Sequence, residues 1–250
     1  MFCIKPFPIS NQTYEFQDED AQRANVREYH RDLQNLSSHL KMRFGIKPSL
    51  YGDIGFSRAM FDRDNKLMRL SITKDEKYRL YTPINKISDK LQKAVLLYED
   101  KEFYQHYGVN FKSLLNAFVR TYISGRRKIG GSTITMQLAR LRFKINSSQI
   151  HGKIWQIVKA IQLELYYTKD EILEAYLNLI PYGGNIEGIG AASYIYFNRN
   201  PLELNLFDSL TLAVIPQNPV KRLPRDSFQS QTSGVRKHLY LQWIKITPKI

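Results

Sequence analysis

The stretch SDKLQKAVLLYEDKEFYQHYGV, residues 88–109, runs a helical apolar pattern into an adjacent pair of acids and places a histidine seven residues after the first. Leu91, Ala94, Val95, Leu97 and Tyr98 leave little polar surface, which predicts a buried helix with Ser88 as its N-cap. Glu99 and Asp100 then stand at the end of a buried element. Burial disfavours a charged carboxylate and raises its pKa, which makes a glutamate a usable base near neutral pH.

Helices dominate downstream. Phe111, Leu114, Leu115, Phe118, Val119 and Tyr122 predict a second helix with one broad apolar face, followed by a glycine-bounded basic loop at 124–131. Thr168 with Glu171 fits a capping box, and Ile172, Leu173, Tyr176, Leu177 and Ile180 continue a helix that Pro181 and Gly183-Gly184 end. Asn205 with Asp208 repeats the capping logic before an apolar helix closed by Pro216. Upstream, runs around Met60-Phe61 and Leu67 to Ile72 flank the turn-forming Asp64-Asn65 and read as a hairpin. Residues 17–43 are polar, with a narrow stripe of Val26, Tyr29, Leu33, Leu36 and Leu40 on an extra N-terminal helix. That helix could pack on its own domain or meet a partner helix. The expected fold is mainly α, divided into a polar helical extension (1–48), a short β-hairpin segment (49–82), a helical domain (83–220) and an unassigned tail (221–250).

The chain has 250 residues, 43% of them hydrophobic, enough for one medium domain with a sizeable core. Its 37 Lys and Arg outnumber 23 Asp and Glu, a formal charge of +14 that calls for an anionic partner such as nucleic acid, a membrane surface or a phosphorylated substrate. Residues 103–163 hold ten Lys/Arg and no acid, so much of the excess follows the acid pair directly. Cys3 is the only cysteine, which excludes an internal disulfide and a cysteine metal cluster. The five histidines, His30, His39, His106, His151 and His238, show no paired metal spacing, so no protein-bound metal is expected. No window of about 18 residues is free of charge, and the N-terminus lacks the apolar core of a signal peptide.

No Walker-type loop occurs, and Ser71-Ile72-Thr73-Lys74 lacks the Lys-Thr-Gly that would give a Ser-x-x-Lys pattern meaning. Three segments remain: the acid pair with His106, GGSTITMQLAR at 130–140 and GKIWQIVKAIQLE at 152–164. Ser132, Thr133, Thr135 and Gln137 supply neutral donors, and Arg140 and Lys153 supply fixed positive charge. Such groups around a buried carboxylate suit a phosphorylated sugar donor, the cations neutralising the departing phosphate.

YEDKEFYQHYGV, GGSTITMQLAR and TKDEILEAYLNLIPYGGNIEGIGAAS, in this order and spacing, resemble the motifs of glycosyltransferase family 51, the peptidoglycan glycosyltransferases. Met136, the IPYGGNIEGIGAAS run and LAVIPQNP at 212–219 look most like class A penicillin-binding proteins of the 1C type. The similarity covers roughly residues 50–220. It implies a lysozyme-like glycosyltransferase domain over 83–220 that polymerises lipid II into β-1,4 glycan with inversion, releasing undecaprenyl pyrophosphate at the periplasmic face of the bacterial inner membrane. By resemblance Glu99 is the general base, Asp100 supports it, Phe103 and His106 shape the site and Gly108 turns the chain. Ser132, Thr133, Thr135 and Gln137 would line the donor site, Arg140 stands where the family usually has lysine, and Lys153 would contact the pyrophosphate. Gly131, Tyr176 and Asn178 match structural positions of the motifs.

The third motif usually reads Arg-Lys-x-x-Glu; here Gly152 replaces the arginine and Gln156 replaces the glutamate of the catalytic set, with Glu164 as a substitute acid or a structural residue. The resemblance implies no covalent cofactor and allows a divalent cation, Mg or Mn, at the substrate pyrophosphate. Its partners would be lipid II, the growing glycan strand and the membrane surface, touched by the stripe on Phe111, Leu114, Leu115, Phe118 and Tyr122, and not nucleic acid. Family members of this type carry a membrane anchor and a transpeptidase domain; neither is found in these 250 residues, which leaves open a separate transpeptidase and a shortened gene product. The alternative is a catalytically weak remnant that binds lipid II or cell-wall partners without polymerising. Charge alone would also fit a helical nucleic-acid binder, and the lack of a second well-placed acid argues against a lysozyme-like hydrolase.

Overall fold

The structure is a computed structural model. It describes residues 45–64, 66–110, 114, 131–219, 222 and 231–246. The expected N-terminal helix, most of the 111–122 helix and the basic loop lie outside the described residues.

The fold is mainly helical, with the expected hairpin at its start. β1 (Ala59–Phe61) pairs antiparallel with β2 (Leu67–Leu70). α1 (Asp89–Glu99) follows and buries Leu91, Ala94, Val95 and Leu97. Ser88 holds the N-cap position without making the side-chain cap; its hydroxyl instead donates to Leu204 O at 3.2 Å and ties the start of α1 to a later turn. α2 (Ile134–Arg142), α3 (Ile150–Tyr166) and α4 (Lys169–Leu179) form a layer in which α2 lies against both of the others. The capping box on α4 is made as the sequence predicts, Thr168 accepting from Glu171 N while Glu171 accepts from Thr168 N. Beyond it, β3 (Pro181–Gly183) and β4 (Ile186–Glu187) form a second small antiparallel pair. α5 (Ile189–Phe197) and α6 (Leu206–Val214) complete the domain, α6 started by the capping box of Asn205 and Asp208.

The tail, unassigned from sequence, contains α7 (Gln231–Ile246). It packs on α6 and α1 and places Leu239, 0% exposed, in the main core. That core also takes Leu163, Ile172, Leu173 and Tyr176, so α1 and the α2–α4 layer share one hydrophobic interior. Truncating a fully enclosed leucine such as Leu173 to alanine costs about 2–5 kcal/mol. The end of α1 is therefore held from several sides.

Candidate active site

Glu99 is the last residue of α1 and Asp100 its C-cap, so both carboxylates project where the helix stops. The Asp100 carboxylate accepts from Ile134 N at 3.0 Å, the first amide of α2, where free N–H groups and the helix dipole favour negative charge. His106 Nε2 lies 3.0 and 3.1 Å from the two Asp100 oxygens. The chain returns at Gly108, whose φ of +77° and close approach to Ala160 O leave no room for a side chain. Thr133 Oγ1 donates to Gly108 O at 2.5 Å and caps α2 by accepting from Met136 N at 3.1 Å. Segment 100–108 is thus stitched to the start of α2.

Gln137, one turn into α2, donates from Nε2 to Glu99 Oε2 at 2.8 Å, and Tyr176 OH reaches Gln137 Oε1 at 3.4 Å. Oε1 of Glu99 is enclosed and has no hydrogen-bond partner among the described residues. Burial raises the Glu99 pKa, with Asp100 adding to the rise; Gln137, Gln217 and Arg222 pull it back down. Glu99 is the carboxylate that the sequence singles out, now with a neutral amide on one oxygen and no cation paired to it among the described residues.

Lys153 on α3 supplies the positive charge. Its Nζ donates to Ser132 Oγ at 2.6 Å and to Gln156 Oε1 at 3.1 Å. Gln156 is 1% exposed and donates from Nε2 to Met136 O at 2.6 Å, so its carbonyl oxygen must face Lys153. Burial, and then Arg140, lower the Lys153 pKa, which places the exposed Arg140 close by. Gly152 has a local cause: an added Cβ would stand 1.9 Å from Asn146 O, so the turn before α3 occupies the space a side chain would need.

The predicted site residues fall into two groups. Glu99, Asp100, His106, Ser132, Gln137 and Lys153 gather around the N-terminal half of α2, with Phe103 beside His106, Gly131 half-buried at the entrance and Arg140 in the last turn of the helix, close enough to Lys153 to lower its pKa. Thr133 and Thr135 are turned inward, 3% and 0% exposed, their hydroxyls engaged with Gly108 O and Glu164. Tyr176 and Asn178 are fully enclosed; Asn178 exchanges 2.8 Å hydrogen bonds with the Thr82 backbone N–H and C=O.

Sequence reasoning left Glu164 open, and the structure makes it an internal strut: Oε1 accepts from Thr135 Oγ1 at 2.6 Å and from Lys169 Nζ at 2.7 Å. Lys169 was missed, although it sits inside the capping-box motif. Its Nζ also donates to His106 O at 2.6 Å and lies 4.5 Å from the Phe103 ring centroid, fixing the segment that carries both residues. No group of three or more His, Cys, Asp or Glu among the described residues could hold a metal.

The family model described as "Transglycosylase" matches residues 64–243. Penicillin-binding protein 1C of Escherichia coli (strain K12) is 40% identical over 159 residues, which is 64% of this chain and 20% of that protein. Penicillin-binding protein 1F of Bacillus subtilis (strain 168) is 39% identical over 151 residues, 58% of this chain and 21% of that protein. Penicillin-binding protein 1A of Aquifex aeolicus (strain VF5) is 36% identical over 181 residues, 72% of this chain and 22% of that protein. The chain spans about a fifth of the length of these curated relatives. With the helical fold, the stitched acid pair and a family match over most of its length, the chain belongs to the transglycosylase family, glycosyltransferase family 51.

Proposed function

We propose that this chain is a peptidoglycan glycosyltransferase that polymerises lipid II into β-1,4 glycan strands and releases undecaprenyl pyrophosphate, with Glu99 as general base. The observation that carries the reading is the environment of Glu99: a half-buried residue with a raised pKa, held through one oxygen by Gln137, while its other oxygen is enclosed and has no partner among the described residues.

In the proposed step Glu99 accepts the proton of the acceptor 4-hydroxyl, whose oxygen attacks the anomeric carbon of the donor. The bond from that carbon to the pyrophosphate breaks, and its electron pair leaves with the undecaprenyl pyrophosphate. General base catalysis of this kind contributes about 10²–10⁴-fold in rate. Lys153 and Arg140 would neutralise the leaving pyrophosphate, with Ser132 as a neutral donor beside them. Gln156 takes no proton in this scheme and aims Lys153 instead. A divalent cation, Mg or Mn, would enter on the pyrophosphate as part of the substrate.

The place of work is the periplasmic face of the inner membrane, where lipid II is presented. Ile150, Ile154 and Trp155 on α3, 78%, 58% and 51% exposed, set apolar side chains beside Lys153 and support contact with a membrane surface. Among the described residues no helix is long and apolar enough to cross a membrane. A transpeptidase would cross-link the product.

Gln156 in place of an acid supports a second reading, in which the chain binds lipid II without polymerising it. A gel assay with labelled lipid II and a divalent cation, run beside Glu99→Gln, separates the two. Glycan from wild type alone supports the polymerase. No glycan from either, with lipid II binding retained, supports the binding protein.

A further inference from the structure

The quoted run LAVIPQNP contributes Gln217, to which the scheme above gives no role. Gln217 closes the 3-10 turn Ile215–Gln217 behind α6 and is exposed at the rim of the site. Its Oε1 accepts from Tyr98 OH at 2.6 Å and from Arg222 Nη1 at 3.3 Å. Arg222 also donates to Tyr98 OH at 2.8 Å and to Val214 O at 2.7 Å.

The chemistry of these partners fixes which way the amide points. A guanidinium can only donate, so the Gln217 atom facing Arg222 is the carbonyl oxygen. Tyr98 accepts from Arg222 and therefore spends its own hydrogen on the same oxygen. The Gln217 NH₂ is left pointing away from this pair, and two donors on its oxygen make it a better donor. Tyr98 adjoins Glu99 in sequence, and Gln217 is among the groups that draw the Glu99 proton affinity down, although no hydrogen bond to Oε1 is made in the resting geometry. Across the site, Gln137 has the same arrangement: a phenol, Tyr176, on its oxygen and its amide on Glu99 Oε2.

We infer that Gln217, locked by Tyr98 and Arg222, is a positioning residue whose amide turns to donate to Oε1 of Glu99 once that carboxylate is ionised, so that two glutamines hold the base from opposite sides. Oε1 has a second lone pair for the acceptor hydroxyl. The inference rests on the reading of Glu99 as the base. The titratable and charged groups acting on Glu99 are Tyr98 and Asp100 beside it in the chain, Tyr176 on α4, Tyr182 on β3 and Arg222.

The test follows Glu99 directly, by carboxyl ¹³C titration of the full chain labelled at glutamate, with Glu99→Gln identifying its signal. Losing an amide that favours the ionised form raises the pKa, so Gln217→Met moves the Glu99 midpoint up by about one pH unit. The acid limb of kcat/KM for lipid II moves up with it, because the base must be ionised to act. Tyr98→Phe, which frees the amide without altering charge, gives a smaller shift in the same direction. An unmoved Glu99 midpoint in both variants overturns the inference, even where activity falls. A midpoint that shifts in the variants while the wild-type chain makes no glycan would sustain the contact and refute the base reading instead.

Discussion

Two glutamates, the half-buried Glu99 and the buried Glu164, are treated in opposite ways. Glu164 is 4% exposed and is matched by Lys169 and Thr135. Among the described residues Glu99 has only an amide on Oε2 and no cation in contact. Each glutamate is bonded through one oxygen, and Glu164 Oε2, like Glu99 Oε1, has no partner among the described residues. What separates them is the ammonium of Lys169, which compensates the charge of Glu164, whereas the neutral amide on Glu99 leaves that group a raised affinity for a proton. Glu164 braces segment 100–108 through Lys169, and Glu99 uses the rigidity that results. This is also why Glu164 is a poor substitute for the acid missing at Gln156.

The largest change that would sharpen the contrast is in turnover. Lys153→Ala should lower kcat/KM for lipid II by about 10²-fold, as removal of a preorganised donor from a developing negative charge does; the gel assay run as a time course measures it. Next comes the strut. Lys169→Met leaves Glu164 without its cation and should cost about 3–5 kcal/mol of stability, read by denaturant unfolding. A loss near zero would mean that the two glutamates do not differ as described.

A smaller effect concerns pH. The folded state raises the Glu99 pKa, so the folded chain holds that proton more tightly than the unfolded chain, and this group lowers stability as pH rises through and above the ordinary glutamate range. Glu99→Gln should therefore melt higher than wild type at neutral pH, with the gap closing in acid; thermal melts at several pH values check the sign. Burial and Arg140 lower the Lys153 pKa, so lipid II binding should weaken at a pH below the usual lysine range, and Arg140→Ala should move that limb upward. Smallest is Thr133→Ala, which removes the cap of α2 and should cost about 1 kcal/mol.

Much of this is legible in local sequence signals. The spacing of Leu91, Ala94, Val95 and Leu97 placed Glu99 at the end of a buried helix, and Thr168 with Glu171 located the start of α4. What sequence could not show is where hydroxyls and amides point. Thr133 and Thr135 read as donors lining a site because they stand among Ser132 and Gln137, but the helix turns them inward. Ser88 has the residue type and position of a cap, yet Leu204 O, 116 residues away, captures its hydroxyl. Gln156 reads as a lost acid until its bonds to Met136 O and Lys153 show what the amide does. Tyr98, Gln217 and Arg222 are joined only by the packing of α1 against α6 and the turn that follows it. In each case the deciding partner is distant in the chain, and no local pattern encodes it.

The most direct test compares wild type, Glu99→Gln and Glu164→Gln in one lipid II polymerisation assay, with a thermal melt of each. The account predicts that Glu99→Gln makes no glycan and melts no lower than wild type at neutral pH, while Glu164→Gln melts well below it. Glycan from Glu99→Gln at the wild-type rate, or a Glu164→Gln chain as stable as wild type, would contradict it.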